Sequence, residues 1–262
     1  MVAVDADDAI VAELLTSTLA LVLEAGGSVA ADLTVVAREG QLHLESHSDG
    51  VLVRVPREAF VRVDTFAFAE DAGRIFVTDV SDDATDIELE LMYTSVALAN
   101  QCGKLAWMRL RHPALASDVP QDVVEAVQAV IPSFRSHPYD AVSLYWGNRC
   151  FKIDLGDGPE RVLVPIVDLL NHHSQGAIGD WEHDSFSVQA VRPFGTAECA
   201  LDYGMDRDAL TLAVVYGFLD ESNVRNGVDP ALLDTLCDID TTSAATHLLR
   251  SAARHQRVNP FG

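Results

Sequence analysis

The sequence has no apolar run long enough to cross a bilayer. The longest one, between Leu14 and Leu23, is interrupted by a Thr-Ser-Thr triplet at 16–18, and it falls short of the roughly 20 apolar residues that span a membrane. Residues 1–8 contain no lysine or arginine, so they do not resemble the basic segment that opens a secretory signal. These features predict a cytoplasmic protein that does not bind membranes.

Cysteine is scarce and scattered. The four cysteines are Cys102, Cys150, Cys199 and Cys237. No two of them form a Cys-x-x-Cys pair, which excludes a zinc ribbon. We expect four reduced thiols, because disulfides belong mainly to secreted proteins.

Basic residues are scarce as well. Lys and Arg total 18 against 40 Asp and Glu, which gives a formal net charge of −22, and residues 1–100 alone carry −14. The chain has two lysines, Lys104 and Lys152. A field of this sign repels nucleic acid and anionic membranes and attracts basic partners. Solubility, or an acid-rich host proteome, would produce the same composition.

The order of strand-like and helical segments predicts an α+β fold. An apolar stripe over Asp8–Glu24, ended by Gly26-Gly27, predicts an opening helix. Short β runs are expected at 33–36, 42–44, 51–55, 161–165 and 187–191. Residues 65–150 are expected to be mainly helical, with helices at 89–107 and 121–129, and later helical segments are expected at 206–215 and within 230–254. Phosphate-loop and dinucleotide-binding glycine motifs are absent.

This pattern divides the chain into five parts. They are an N-terminal helix (1–26), a first β-rich part (27–64), a helical insert (65–140), a second β-rich part (141–220) and a short helical tail (221–262).

Three segments in the second half of the chain carry the chemical signal. Residues 162–173 read Val-Leu-Val-Pro-Ile-Val-Asp-Leu-Leu-Asn-His-His, residues 198–204 read Glu-Cys-Ala-Leu-Asp-Tyr-Gly, and residues 215–218 read Val-Tyr-Gly-Phe. In this order and spacing they resemble the SET-domain methyltransferases, and within them the Rubisco-methyltransferase-like branch, whose SET domain is split. Residues 53–57 and 148–151 also resemble segments of that branch. The resemblance implies a β-rich SET domain of short irregular strands with an inserted helical subdomain.

The resemblance also implies an activity and a set of site residues. The reaction would be transfer of a methyl group from S-adenosylmethionine to a lysine or another amine of a protein, with no metal required. Tyr203 takes the catalytic role, since its hydroxyl would align the incoming amine and stabilise its developing charge. The residues assigned to the methyl donor are Gly40, Arg149, Asp168, Asn171, His172, Tyr216 and Phe218.

Each donor residue has an implied task. Arg149 would bind the donor carboxylate, because a guanidinium fork suits that group. Asp168 would accept a hydrogen bond from the donor ammonium or orient Asn171. Asn171 and His172 would hold the adenine and the amino-acid end.

Aromatic and glycine positions complete the implied site. Tyr216 and Phe218 would form a wall of the adenine pocket or of the lysine channel. Gly40 is the one glycine that remains of the family's glycine-rich turn, where backbone amides approach the donor, and Gln41 beside it would crowd that approach. About forty residues follow Leu219, where the branch has a longer helical substrate domain, so we expect substrate recognition to differ or to depend on a partner.

Three other functions remain open. A diverged SET scaffold could act on or bind a small-molecule amine without protein methylation. A non-catalytic module could use the acidic surface to bind a basic partner. A metal site could use residues between 168 and 184, although the adjacent side chains of His172 and His173 point away from each other. Its candidate ligands are Asp168, His172, His173, His183 and Asp184.

Overall fold

The computed structural model describes residues 2–116, 119–131, 140–156, 158–182, 184–204, 207–223 and 230–258. These residues form two units. The first contains residues 1–104 and 149–203, and the second contains residues 105–148 and 204–262. The architecture is mixed α+β, with many short strands in several sheets, as predicted.

The elements have the following bounds. The strands are β1 (Ala3–Ala6), β2 (Ser28–Val29), β3 (Thr34–Arg38), β4 (Gln41–Glu45), β5 (Val51–Pro56), β6 (Val61–Arg62), β7 (Phe66–Asp71), β8 (Arg74–Val80), β9 (Cys150–Asp154), β10 (Pro159–Leu163), β11 (Asn171–Ala177), β12 (Asp180–Glu182), β13 (Ser185–Gln189) and β14 (Glu198–Leu201). The α-helices are α1 (Ala9–Glu24), α2 (Asp86–Gln101), α3 (Lys104–Arg111), α4 (Gln121–Val130), α5 (Ala141–Gly147), α6 (Ala209–Tyr216), α7 (Pro230–Cys237) and α8 (Ala244–Val258).

The described strands of the first unit form four small sheets. A five-stranded sheet has the order β1-β3-β4-β14-β11, and a four-stranded sheet has the order β12-β13-β5-β2. A three-stranded sheet, β6-β10-β9, and the hairpin β7-β8 complete the set. The pairs β1–β3 and β11–β14 are parallel, and the other pairs are antiparallel. These described sheets, in which most pairs are antiparallel, do not form a parallel sheet with crossover helices.

The opening helix α1 is confirmed, and its caps explain its limits. The Asp8 carboxylate accepts hydrogen bonds from the backbone N–H groups of Ile10 and Val11, which satisfies two of the donors left open at a helix start. At the other end, a Cβ on Gly27 would lie 2.7 Å from the carbonyl oxygen of Val22 and 2.9 Å from that of Arg54. The second glycine of the stop signal is thus required by close packing against β5.

The prediction that residues 65–140 form a mainly helical insert is wrong for its first part. Residues 66–80 form the hairpin β7-β8, which turns at Ala72 and Gly73, both with positive φ. Exposed and more buried residues alternate in β7, as expected for a strand with one face toward solvent. The single helix predicted at 89–107 is also wrong, because Gly103, with φ of 59°, separates α2 from α3.

A buried ion pair fixes the start of α2. Thr85 and Glu88 form a capping box, in which each side chain accepts a hydrogen bond from the backbone N–H of the other residue. The Glu88 carboxylate also accepts from the Arg62 guanidinium at 2.8 Å and from the Arg62 backbone N–H at 3.2 Å. Burial opposes the ionisation of Glu88, but these hydrogen bonds from Arg62 and Thr85 outweigh it and lower its pKa. One carboxylate therefore joins strand β6 to the helix.

The second unit is helical in its described residues. Apolar side chains from α4, α6, α7 and α8 form the core of its described part, and α7 and α8 confirm the helical segments predicted within 230–254. Helix α6 is capped by Asp208, whose carboxylate accepts from the backbone N–H and the hydroxyl of Thr211. The predicted start of this helix at 206 lies outside the described residues.

A buried histidine lies in this second unit. His112 is 1% exposed, its Nε2 lies 2.9 Å from the carbonyl oxygen of Val215, and its Nδ1 accepts from the backbone N–H of Ala114. These two contacts fit a neutral ring that carries its proton on Nε2. Burial lowers the pKa of His112 to about 4, so the folded protein keeps the ring neutral.

We expect acid to destabilise the protein through His112. The unfolded ring takes up a proton as pH falls through 6.5, whereas the folded ring resists until about 4, so stability rises with pH across this window. Between pH 7 and 4.5 the wild type should lose about 2 kcal/mol of unfolding free energy through this group. Urea unfolding of the wild type, His112→Gln and the exposed-site control His247→Gln would measure it. Equal acid losses in the wild type and His112→Gln would contradict the assignment.

Candidate functional site

The parallel pair β11–β14 places the two most informative motifs side by side. Asn171 lies opposite Ala200, and His172 lies opposite Leu201, in the register of the two strands. Because β14 ends two residues before Tyr203, this register brings Asn171-His172 next to the segment that carries the tyrosine. Residues separated by thirty positions in the chain thus share one end of the five-stranded sheet.

Tyr203 is held by two bonds to the Asn171-His172 segment. Its hydroxyl donates to the carbonyl oxygen of Leu170 at 2.7 Å, and its backbone N–H donates to His172 Nδ1 at 3.1 Å. The rings of His172 and Tyr203 lie 5.1 Å apart between centroids. These bonds fix both the backbone and the ring of Tyr203, and a phenolic hydroxyl that donates one hydrogen bond is also able to accept.

Asn171 is exposed, and a carboxylate orients it. Its Nδ2 donates to Glu198 Oε1 at 2.9 Å. Sequence reasoning gave Glu198 no role, although it opens the strand that leads to Tyr203. The resemblance implied that Asp168 could orient Asn171. In the structure the Asp168 carboxylate accepts from Arg149 instead, and Glu198 accepts from Asn171.

Arg149 and Asp168 form a buried ion pair. Arg149 Nη1 donates to Asp168 Oδ2 at 2.6 Å and to the carbonyl oxygen of Asp168 at 3.1 Å. The two side chains are 18% and 10% exposed. Burial raises the pKa of Asp168 above its ordinary value even though Arg149 opposes that shift. The pair therefore offers a preorganised cation and carboxylate to a ligand that carries both charges.

Backbone strain lies next to this pair. Ile166 is fully buried and has φ of 69°, a conformation that costs a β-branched residue on the order of 1–3 kcal/mol. It leads into a short 3₁₀ helix, Val167–Leu169, which carries Asp168. Nothing in the sequence indicates this conformation, since glycine or asparagine would be the usual signal.

Gly40 lies in the turn between β3 and β4, and a lysine contacts it. Glu39 and Gly40 have φ of 52° and 73°, so the turn requires the left-handed region that glycine tolerates. Lys104 Nζ donates to the carbonyl oxygen of Gly40 at 2.8 Å. Burial, and then the charge of Arg149, lower the pKa of Lys104 to about 8. Sequence reasoning did not assign Lys104 to the site.

Gly176 was also missed. A Cβ at this position would lie 2.7 Å from the backbone carbon of Leu201 and 2.9 Å from the carbonyl oxygen of Ala200. Residue 176 therefore has to be glycine for β11 to return onto β14. A glycine within a strand is a sequence signal for such close backbone approach.

Tyr216 and Phe218 lie in the second unit. Their ring centroids are 6.1 Å apart, and the Arg207 guanidinium lies 5.0 Å from the Tyr216 ring centroid. Burial raises the pKa of Tyr216 above its ordinary value. That these rings form a wall of the donor or substrate channel stays a prediction.

The described residues can be searched for a metal site, for disulfides and for a membrane-spanning helix. Among these residues no group of three or more His, Cys, Asp or Glu side chains could hold a metal ion, and His183 lies outside them. The four cysteines are free thiols. No helix within the described ranges combines the length and apolar character that a bilayer span needs.

Fold and site together define a mixed α+β protein of short, irregular strands with a polar site at one sheet end. No protein-family model matches the chain, and no curated protein matches it. The solved structures similar to the chain include two whose matches each cover 89% of it. One is the SET domain of LSMT bound to lysine and AdoHcy, at 14% identity and a TM-score of 0.42. The other is Rubisco LSMT bound to AdoMet, at 15% identity and a TM-score of 0.41. The match spans 65% of each solved chain.

Proposed function

We propose that this protein is a SET-type methyltransferase that transfers a methyl group from S-adenosylmethionine to an amine. The observation that carries the proposal is the attachment of Tyr203 to Leu170 and His172. It joins the Asn-His motif and the Tyr-Gly motif into one cluster, as the sequence resemblance requires. Cytoplasmic location belongs to the same proposal.

The residues of the site fit the chemistry of the donor. The amino-acid end of S-adenosylmethionine carries a carboxylate and an ammonium, and the site offers the Arg149–Asp168 pair together with Lys104 and the Gly40 carbonyl. Cations suit the carboxylate, and the Asp168 carboxylate or a backbone carbonyl suits the ammonium. Asn171 and His172 would hold the adenine and the amino-acid end, as the resemblance implies.

Positioning supplies most of the catalysis in this reaction. The bound donor supplies an electrophilic methyl group on a sulfonium. Tyr203 would accept a hydrogen bond from the N–H of the neutral amine and so aim its lone pair along the line of displacement. The bond from Tyr203 to Leu170 holds the hydroxyl ready, so little reorganisation is needed as charge develops on the nitrogen.

The acidic surface supports a basic substrate. A net charge of −22 attracts a cationic peptide and repels nucleic acid. We therefore propose a lysine of a basic protein as the acceptor. The reduced glycine turn at Gly40 favours a second candidate, a small-molecule amine, and the assay described for Tyr203 in the Discussion separates the two.

We expect Asn171→Ala to abolish the thermal shift produced by S-adenosylmethionine. At 100 times its dissociation constant the donor should raise the wild-type melting temperature by about 5 to 10 °C for a chain of this size. Removing the Asn171 amide removes a donor contact and leaves Glu198 without its partner. Differential scanning fluorimetry would measure the shift.

Gln175→Ala is the matched control, because Gln175 is an exposed amide on the same strand. It should keep the full shift, and the unligated melting temperatures report whether each variant folds. A full shift in Asn171→Ala would place donor binding elsewhere in the molecule.

A further inference from the structure

Lys104 occupies a defined place beside the Arg149–Asp168 pair. It opens α3 directly after Gly103, and its ammonium reaches back to the carbonyl oxygen of Gly40 at 2.8 Å. Strand β4, which follows Gly40, packs against the turn that carries Asp168. The lysine therefore lies in the same part of the first unit as the Arg149–Asp168 pair.

The described groups that act on Lys104 include a second cation, Arg149, and a carboxylate, Asp168. Asp168 is engaged by Arg149 at 2.6 Å, and among the described residues no carboxylate forms an ion pair with Lys104. The titratable and charged groups that act on Lys104 are Arg149 and Asp168 from the first unit and Cys102 from the preceding turn. In the described part of the chain, Asp168 is thus the one carboxylate whose charge acts on Lys104, and it already pairs with Arg149.

An uncompensated cation in a half-buried place is costly unless an anion joins it. The effect is visible in Lys104 itself, because burial and the charge of Arg149 lower its pKa to about 8. A carboxylate bound next to Lys104 would offset both the cost of its burial and the repulsion from Arg149. A lysine ammonium suits this place because it is a compact point charge on a flexible stem, whereas the fork of Arg149 is already committed to Asp168.

We infer that Lys104 binds the carboxylate of the methyl donor, as a second cation next to Arg149. This inference rests on the proposed function. It revises the implied role of Arg149, which would hold Asp168 in place for the donor ammonium while Lys104 takes much of the carboxylate charge.

The test pairs a change in the protein with a change in the ligand. Calorimetric binding of S-adenosylmethionine and of its decarboxylated analogue would be measured for the wild type and Lys104→Met. The variant should bind the full donor roughly 10-fold to 100-fold more weakly, the size of a charge-assisted hydrogen bond. It should bind the decarboxylated analogue as the wild type does, because that ligand lacks the group that Lys104 contacts.

The chain supplies its own control. Lys152 is the other lysine, is exposed on β9, and Lys152→Met should bind both ligands as the wild type does. A pH series gives a second readout: affinity for the full donor should fall more steeply above pH 8 in the wild type than in Lys104→Met, since only the wild type loses the lysine charge. Lys104→Gln replaces the methionine variant if the latter lacks an unligated melting transition.

The outcomes separate the inference from the function on which it rests. If the wild type and Lys104→Met bind the full donor with equal affinity, the inference is overturned and the proposed function stands. An equal loss of affinity for both ligands in Lys104→Met also overturns it, because the lysine then shapes the site without touching the carboxylate. A wild type that binds no donor overturns both proposals.

Discussion

Tyr203→Phe is expected to slow methyl transfer by roughly 10², the scale of losing one transition-state hydrogen-bond partner. The substitution keeps the ring that packs 5.1 Å from His172 and keeps the backbone bond to His172 Nδ1. It removes only the hydroxyl that donates to Leu170. Donor binding should therefore survive while turnover falls.

The assay follows labelled methyl from S-adenosylmethionine into two pools, a mixture of histones and ribosomal proteins, and a cell-metabolite extract. Label in the first pool supports a protein substrate, and label in the second supports the small-molecule candidate. Tyr93→Phe is the control, because Tyr93 is 53% exposed on α2. If Tyr203→Phe transfers methyl at the wild-type rate, the catalytic assignment is wrong. If the wild type binds the donor and labels neither pool, the transferase proposal fails.

Glu88→Ala is expected to cost about 3 kcal/mol of unfolding free energy, the scale of breaking a buried ion pair from one side. The Glu88 side chain is 4% exposed and that of Arg62 is 26% exposed. Without the carboxylate, the Arg62 guanidinium loses its charged partner and the Thr85 backbone N–H loses its acceptor. The same change therefore removes the link from β6 to α2 and half of the capping box.

Urea unfolding followed by circular dichroism would measure this loss. Glu90→Ala, an exposed carboxylate two residues along the same helix, should change stability by less than about 0.5 kcal/mol. Glu88→Gln keeps an acceptor for the backbone N–H groups and should fall between the two. Equal stability of Glu88→Ala and Glu90→Ala would show that the pair contributes nothing beyond a surface contact.

Most of the described helices and some of the strands could be predicted from local patterns, and the failures have local causes. Helix α1 and strands β3 to β5 have clear periodicity and glycine punctuation, so their bounds agree with the structure to within about two residues. The hairpin at 66–80 was missed because only Phe66 and Phe68, alternating with alanines, mark β7 as a strand. Strand β1 was missed because its four residues include an aspartate and gain their pairing only from β3.

The cluster around Tyr203 could be predicted only through the family resemblance. A tyrosine before a glycine or an asparagine before a histidine carries little signal alone, and the contact between them depends on the register of β11 against β14. Lys104 and Glu198 were missed for a related reason. Their partners, Gly40 and Asn171, lie 64 and 27 positions away in the chain, so only the folded structure brings them together.

The register between β11 and β14 has an evolutionary consequence. His172 and Ala177 both lie opposite Leu201, so the residues between them leave the ladder and return, with Gly176 resting on the backbone of Ala200 and Leu201. Both ends of this excursion are anchored at one residue of the neighbouring strand. Insertions or deletions at 173–175 would therefore change the surface beside the site without moving Tyr203 relative to His172. Under the proposed function, this segment is a place where related sequences could vary substrate preference while Tyr203 and His172 keep their relative positions.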